Sequence, residues 1–446
     1  MRKENSTIPS PLQSLTKLFT SGGFVGNVLK LAGGTALGRG LIVLTSPLLT
    51  RLYSAEDFGL LTVYIAIFTL VSGISSLQYH MAIPLPQSDE TAADLLVLSL
   101  FLVIVMTLGM AGIVLFLQDS IVQWVNTPGL KPYLWLLPLS FLGVGIYQTV
   151  SSWAVRRRAF TQIAQTKVTQ DFATVLSQLI LGVLHLQPLG LLVGDATGRV
   201  NGSGTLGMLV VRQDLQAFKN VSIKSIRETA KQYLRFPIYA SPSNLFNSAG
   251  LRLPPLLIAA FYGAQVAGWF GLVQRVVGVP ALLIGTAVSQ VYMGEAASIA
   301  RENPVRMYRL FRKMTSRLIL IGAVPIILLG VFGPQLFRIV FGPEWYDAGV
   351  YVRLMTVMVL VQFVVSPLSN TLLILELQDL YLAWNAGRLI LVAGGLIISG
   401  KLGLSAETTI LIYGWLMAIT YVVLFIISAL KVRQLSAKHS ASTATS

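Results

Sequence analysis

The sequence contains no cysteine, only three histidines and few charges: Asp, Glu, Lys and Arg together make up 11% of its 446 residues. Without cysteine there is no disulfide framework, no thiolate metal site and no thiol nucleophile. Three isolated histidines form neither an HExxH motif nor a cluster, so no catalytic metal is expected. No GxxxxGK[ST] stretch occurs, which excludes ATP hydrolysis by a P-loop. A soluble chain carries about a quarter charged residues; half that leaves too little polar surface to face water. The opening MRKENSTIPSPLQS lacks the short apolar core of a cleaved signal, so the N-terminus is expected to be retained.

What is abundant is apolar surface: 54% of residues are hydrophobic and the mean hydropathy is +0.71. A helix needs about 20 apolar residues to cross the hydrocarbon. About a dozen spans therefore use most of the chain and leave no room for a separate soluble domain. Apolar runs closed by charge, proline or glycine predict an all-α integral membrane protein of about twelve helices. Their ranges are 27–50, 59–84, 93–117, 132–153, 167–186, 188–211, 238–262, 267–291, 318–341, 349–375, 381–400 and 408–430. The implied organisation is a cytoplasmic N-terminal segment (1–26), an N-lobe of six helices (27–211), a basic linker (212–237), a C-lobe of six helices (238–434) and a disordered tail (435–446).

The formal charge of +15 sorts by side. With the N-terminus inside, the cytoplasmic segments hold 23 of the 33 basic residues and the outer segments, counted with adjoining helix ends, hold 5. Lys and Arg accumulate on the cytoplasmic side of membrane proteins, so both termini are expected there. On so apolar a chain the excess reads as basic loops at an anionic leaflet, not as a nucleic-acid surface. The linker VRQDLQAFKNVSIKSIRETAKQYLRF reads as a partly amphipathic segment lying on the membrane.

The halves echo one another. SPLLTRLYSAEDFGLL at the end of helix 1 resembles PPLLIAAFYGAQVAGWFGLV at the end of helix 7, matching Pro47 with Pro255 and, after a one-residue insertion, Gly59 with Gly268. Repeats with an even number of helices share one topology about an axis along the membrane normal, the plan of a two-lobed transporter with a central cavity. Pro47, Pro255, Pro280, Pro325 and Pro367 lie within spans, either as hinges for alternating access or as fixed bends that improve packing.

Five arginines fall well inside the predicted spans: Arg39, Arg199, Arg252, Arg275 and Arg388. An arginine at mid-bilayer costs about 2.5–3.5 kcal/mol on insertion scales, so these are expected to face water, a partner or a ligand. Asp195 lies four residues before Arg199, the spacing of an intrahelical ion pair, with ion coupling as the alternative. Removing that pair leaves Arg39, Arg252, Arg275 and Arg388 as unmatched positive charge, suited to an anionic, phosphorylated substrate. For Arg275 and Arg388, snorkelling or bonding to carbonyls freed at a kink stands beside that reading. GSGTLG at Gly202, Gly204 and Gly207 matches G-x-G-x-x-G but has no preceding strand, and close helix packing through Gly198 and Gly202 is the better reading.

WLLPLSFLGVGIYQTVSSWAVRRRAF, RLYSAEDFG, FGPEWYDAGVYVRLM and especially the stretch from YLRFPIYASPSNLF to LLIGTAVSQV resemble the bacterial polysaccharide repeat-unit flippases, which include O-antigen flippases of lipopolysaccharide biosynthesis. These form part of the multidrug/oligosaccharidyl-lipid/polysaccharide exporter superfamily, and the resemblance runs over nearly all of residues 27–435. It implies a MATE-like fold of two six-helix lobes around a central cavity, in the bacterial inner membrane. It implies transport of an undecaprenyl-pyrophosphate-linked oligosaccharide to the periplasmic leaflet for surface-polysaccharide assembly, with no cofactor, beside a polysaccharide polymerase and a chain-length regulator. It also implies a pyrophosphate-binding role for Arg39, Arg252 and Arg275; relatives often show a less charged helix 1, so Arg39 is a departure. The alternatives are a multidrug exporter of the same superfamily, disfavoured because cationic drugs need buried carboxylates, and a polymerase or ligase acting on the same carrier, disfavoured by short outer loops.

Overall fold

The computed structural model describes residues 24–302 and 304–444, and these residues are helical with short connections and no strand. The first 23 residues, most of the expected N-terminal segment, lie outside them.

The first predicted span is two helices, α1 (Phe24–Leu44) and α2 (Ser46–Leu52). Pro47 lacks an N–H, and hydroxyls take up carbonyls at the break: Thr45 Oγ1 donates to Leu41 O (2.9 Å) and Ser46 Oγ to Ile42 O (2.9 Å). YSAED then starts α3 (Ala55–Ser72) through a capping box, in which Asp57 N donates to Ser54 Oγ and Ser54 N to Asp57 Oδ2. α3 stops twelve residues short of the expected end. After Gly73 the chain turns, with Leu77 and Gln78 at positive φ, into a single 3-10 turn at Tyr79–Ala82.

α4 (Asp89–Trp124), α5 (Leu136–Arg156) and α6 (Phe160–Val183) follow. The sixth span is broken into α7 (Leu189–Val200) and α8 (Ser203–Gln213), because Gly202 adopts φ +85°. Gly198, in contrast, packs tightly: a Cβ there would strike Thr174 and the Gln170 carbonyl of α6. The linker carries α9 (Ile223–Gln232).

Spans seven and eight form α10 (Ser241–Val273), interrupted at Gly263 (φ +82°), and α11 (Val279–Glu302). The chain reverses at Gly263: Asn244 meets Gly73 at one end of α3, whereas Ala264 and Gly268 meet Gly59 and Ala55 at the other, and Gly271 then returns to Thr62. Between α10 and α11 lies a π turn, Gln274–Gly278, where Pro280 cannot donate back to the preceding turn. Pro255, in contrast, lies within continuous helix. The remaining spans are α12 (Pro304–Phe341), α13 (Tyr346–Val365) with the short α14 (Asn370–Ile374), α15 (Gln378–Lys401) and α16 (Ala406–Ala444). α16 continues through residues expected as a disordered tail, since SAKHSASTA contains no glycine or proline to end a helix.

Seven helical stretches among the described residues are long and apolar enough to span a membrane on composition alone, and one of them, 236–290, contains the reversal at Gly263. The crossings missing from that count, α1/α2, α5, α6 and α7/α8, carry most of the polar residues of the cavity described below. Alternate connections gather at one end of the bundle. There Gln187 Nε2 donates to Leu52 O (2.9 Å), Tyr262 Oη to Leu404 O (3.0 Å) and Trp345 Nε1 to Thr50 O (3.2 Å). We call this the Trp345 end and the opposite one the linker end.

At the linker end α9 packs against the N-lobe. Tyr79 Oη donates to Ala230 O (3.0 Å) and Ser225 Oγ to Asp94 Oδ1 (2.8 Å), while Ile226, Ala230 and Tyr233 cover an apolar cluster around Tyr79 and Trp153. Arg157 binds both Asp89 (2.8 Å) and Asp214 (2.6 Å), and Trp153 Nε1 donates to Asp214 (2.8 Å). Arg157, the middle residue of the RRR triplet, therefore fastens the linker.

Candidate functional site: a charged N-lobe cavity

The polar residues of the N-lobe helices face one another across a cavity of about 460 Å3. α1 contributes Arg39, and α3 contributes Phe68, Thr69 and Ser72. Tyr147, Gln148, Ser151 and Ser152 come from α5, a set that recurs on one helical face. α6 supplies Lys167, Gln170, Asp171 and Thr174, at i, i+3, i+4 and i+7, and α7 supplies Asp195 and Arg199. His80 lines the cavity too, its Nδ1 sharing a 2.6 Å hydrogen bond with Ser76 Oγ.

The charges divide into held and unheld. Arg199 grips Asp195 with two contacts, Nε to Oδ2 at 2.5 Å and Nη2 to Oδ1 at 3.1 Å, and its guanidinium lies 4.1 Å from the centre of the Phe68 ring. Lys167 Nζ stands 4.4 Å over the Tyr147 ring and 3.4 Å from Gln170 Oε1. The Asp171 carboxylate lies against Gly38, where a Cβ would overlap it. Arg39, the next residue, is exposed to the cavity, and no described residue accepts a hydrogen bond or closes a salt bridge with it.

Arg252 and Arg275 come from the C-lobe. Neither lines the N-lobe cavity, but both lie within electrostatic range of Arg39 and Asp195. Their buried Nε atoms have no hydrogen-bond partner, and the Arg275 guanidinium sits 5.9 Å from the Phe58 ring. Arg388 is separate. It donates to Tyr421 Oη (3.4 Å) and Asn385 Oδ1 (3.2 Å), lies 4.8 Å over Trp384, and belongs to a C-lobe cluster of α15 and α16. Arg39, Arg252 and Arg275 thus lie within electrostatic range of one region, whereas Arg388, though it touches α10, is held by Tyr421 and Asn385.

Lys167 and Asp171 were not among the residues expected from sequence. Starting the fifth helix at Lys167 put that residue in a cytoplasmic loop; the helix begins at Phe160, which carries Lys167 two turns inward. The signal was the KVTQDFAT stripe, whose polar residues recur at helical spacing. Together Arg39, Lys167, Arg199, Arg252 and Arg275 set five cations against Asp171 and Asp195. Such a region can hold an anion by bidentate guanidinium contacts and neighbouring hydroxyls by amide and carboxylate groups.

Known proteins share both the fold and parts of the sequence. Among solved structures, an inward-facing multidrug resistance MATE family transporter of the MOP superfamily superposes with a TM-score of 0.67 at 15% identity, covering 95% of this chain and 98% of that one. The lipid II flippase MurJ, in an inward closed conformation, gives 0.60 at 12% identity over 91% and 89%. The chain thus has the two-lobed, MATE-like fold of integral membrane transporters. Among curated relatives, the lipopolysaccharide biosynthesis protein WzxC of Escherichia coli (strain K12) is 24% identical over 370 residues, 82% of this chain and 72% of that one. The teichuronic acid biosynthesis protein TuaB of Bacillus subtilis (strain 168) is 27% identical over 197 residues, 44% of this chain and 40% of that one. A family described as polysaccharide biosynthesis protein matches residues 48–349, about two thirds of the chain. This chain belongs to that polysaccharide biosynthesis protein family.

Proposed function

We propose that this protein is a flippase that carries a polyprenyl-pyrophosphate-linked oligosaccharide across the bacterial inner membrane by alternating access, for surface-polysaccharide assembly. The observation that carries this reading is the set Arg39, Arg252 and Arg275: cations within the membrane, contributed by both lobes and without carboxylate partners in salt-bridge contact. Arg252 and Arg275, whose buried Nε atoms have no partner, are costly unless a ligand supplies counter-charge, and Arg39, exposed to the cavity near Asp171, adds a third guanidinium for a pyrophosphate, which accepts several bidentate pairs. The adjoining cavity, with Gln148, Ser151, Gln170, Asp171 and Asp195, offers donors and acceptors for the sugar hydroxyls, while the polyprenyl chain stays in lipid between the lobes. Arg388, already bonded to Tyr421 and Asn385, serves the C-lobe packing instead. Asp195 with Arg199 is a structural ion pair on this reading. Both termini face the cytoplasm, and the Trp345 end faces the periplasm.

The test is complementation. In a strain lacking the gene, Arg39→Ala and Arg252→Ala should abolish surface glycan while the protein reaches the membrane at normal levels. Lysine at either position should restore it only in part, because lysine keeps the charge but loses the bidentate fork. Wild-type glycan from well-expressed alanine variants overturns the proposal.

A further inference from the structure

At the Trp345 end the loop between α12 and α13 crosses from the C-lobe into the N-lobe. Its shape is built in: Gly342 takes φ +113°, Pro343 fixes the next residue, Trp345 N bonds back to Gly342 O (3.1 Å), and Trp269 Nε1 donates to Glu344 O (3.1 Å). Held in this way, the loop presents two side chains to the other lobe. Glu344 Oε1 accepts from Ala55 N (3.0 Å) at the first turn of α3, where the helix dipole favours a negative charge. Trp345, 1% exposed, donates from Nε1 to Thr50 O (3.2 Å) and meets the Phe58 ring edge-on at 5.0 Å.

We infer that Glu344 and Trp345 are the latch that holds the Trp345 end closed and sets how often it opens. The inference goes beyond the proposed cargo, because it concerns opening and not what is carried. The neighbouring seam contacts are backbone against backbone at Gly59, Ala264 and Gly268, which permit close approach but supply little directional attraction. Opening that end withdraws Trp345 from its N-lobe pocket and breaks the hydrogen bonds to Thr50 O and from Ala55 N. These contacts couple the lobes without touching the charged cavity, so they tune the opening equilibrium separately from ligand binding.

The natural absence of cysteine makes the test direct, since one introduced thiol reports alone. Thr62→Cys lies about two turns into α3, where its side chain meets Gly271 across the seam. In the purified full-length protein in nanodiscs, its labelling by a membrane-impermeant maleimide reads opening. Glu344→Gln should speed labelling about threefold and Trp345→Ala about tenfold, the scale of one charge–dipole contact and of a buried anchor respectively. Trp345→Phe, which keeps a ring but loses the N–H, should fall between them and remains informative if the alanine variant does not fold. Unchanged labelling in Glu344→Gln and Trp345→Phe, with monodisperse protein, overturns the latch. Labelling is independent of cargo, so loss of the flippase reading leaves this result standing, and an intact glycan phenotype does not rescue an unchanged labelling rate.

Discussion

Gly59 and Gly268 pack against each other across the lobe seam: a Cβ on Gly268 would lie 2.9 Å from the Gly59 nitrogen and strike the Ala55 carbonyl, and a Cβ on Gly59 would strike the Ala264 carbonyl. These are the two glycines matched between the halves in the sequence, so the repeat marks the point where the lobes meet. Backbone obstacles cannot swing aside like the end of a flexible side chain. Gly59→Ala and Gly268→Ala should each destabilise by about 1–3 kcal/mol. Gly109→Ala, in open space on α4, should instead stabilise by about 0.5–1 kcal/mol through helix propensity. Thermal unfolding of the three variants in one detergent checks the contrast, and equal shifts would remove the seam argument.

The division of the arginines predicts two phenotypes. Arg39→Ala and Arg252→Ala should weaken binding of a polyprenyl pyrophosphate to the purified protein at least tenfold while leaving its unfolding temperature near wild type, because no described hydrogen bond depends on either side chain. Arg388→Ala should do the reverse. It removes one of two hydrogen bonds to Tyr421 Oη, which keeps Gln362, leaves Asn385 Oδ1 without its donor and uncovers Trp384, costing about 1 kcal/mol of stability with a smaller effect on affinity.

Asp195 and Arg199 are partly buried, with side-chain exposures of 14% and 22%, so breaking their pair strands a poorly hydrated charge. Asp195→Asn and Arg199→Met should each cost on the order of 2–3 kcal/mol, and Asp195→Asn/Arg199→Met much less than the sum. A double-mutant cycle on chemical unfolding measures this. Additive losses would argue against a structural pair, and an Asp195→Asn variant of normal stability whose transport no longer depends on an ion gradient would assign Asp195 to coupling.

The linker clamp predicts a proteolytic contrast. Asp214 has a 9% exposed side chain and accepts from Arg157 and Trp153, whereas Asp89 is 41% exposed and therefore more strongly screened. Asp214→Asn should free the Lys- and Arg-rich linker and speed tryptic cleavage between 219 and 235 several-fold. Asp89→Asn should have a smaller effect, one that vanishes at high salt.

Sequence by itself determined that the chain is membrane-embedded, because too few charges exist to cover it. It determined the all-helical class and the order of the apolar runs, because hydrophobic length and polar punctuation are local properties. Gly59, Gly268 and the ion pair Asp195–Arg199 were also legible, since a repeat and an i, i+4 spacing need no knowledge of the fold. Helix ends were less so. Lys167 read as a loop residue because the polar start of its helix, FTQIAQ, looks aqueous until the opposing polar faces of α5 and α7 are known to enclose it. Only tertiary structure grouped Arg39 with Arg252 and Arg275 and gave Arg388 to Tyr421 and Asn385, because depth in the bilayer says nothing about which lobe face an arginine meets. Only tertiary structure seated Trp345 in the N-lobe, because residues 50 and 345 are brought together by packing between lobes and carry no trace of one another along the chain.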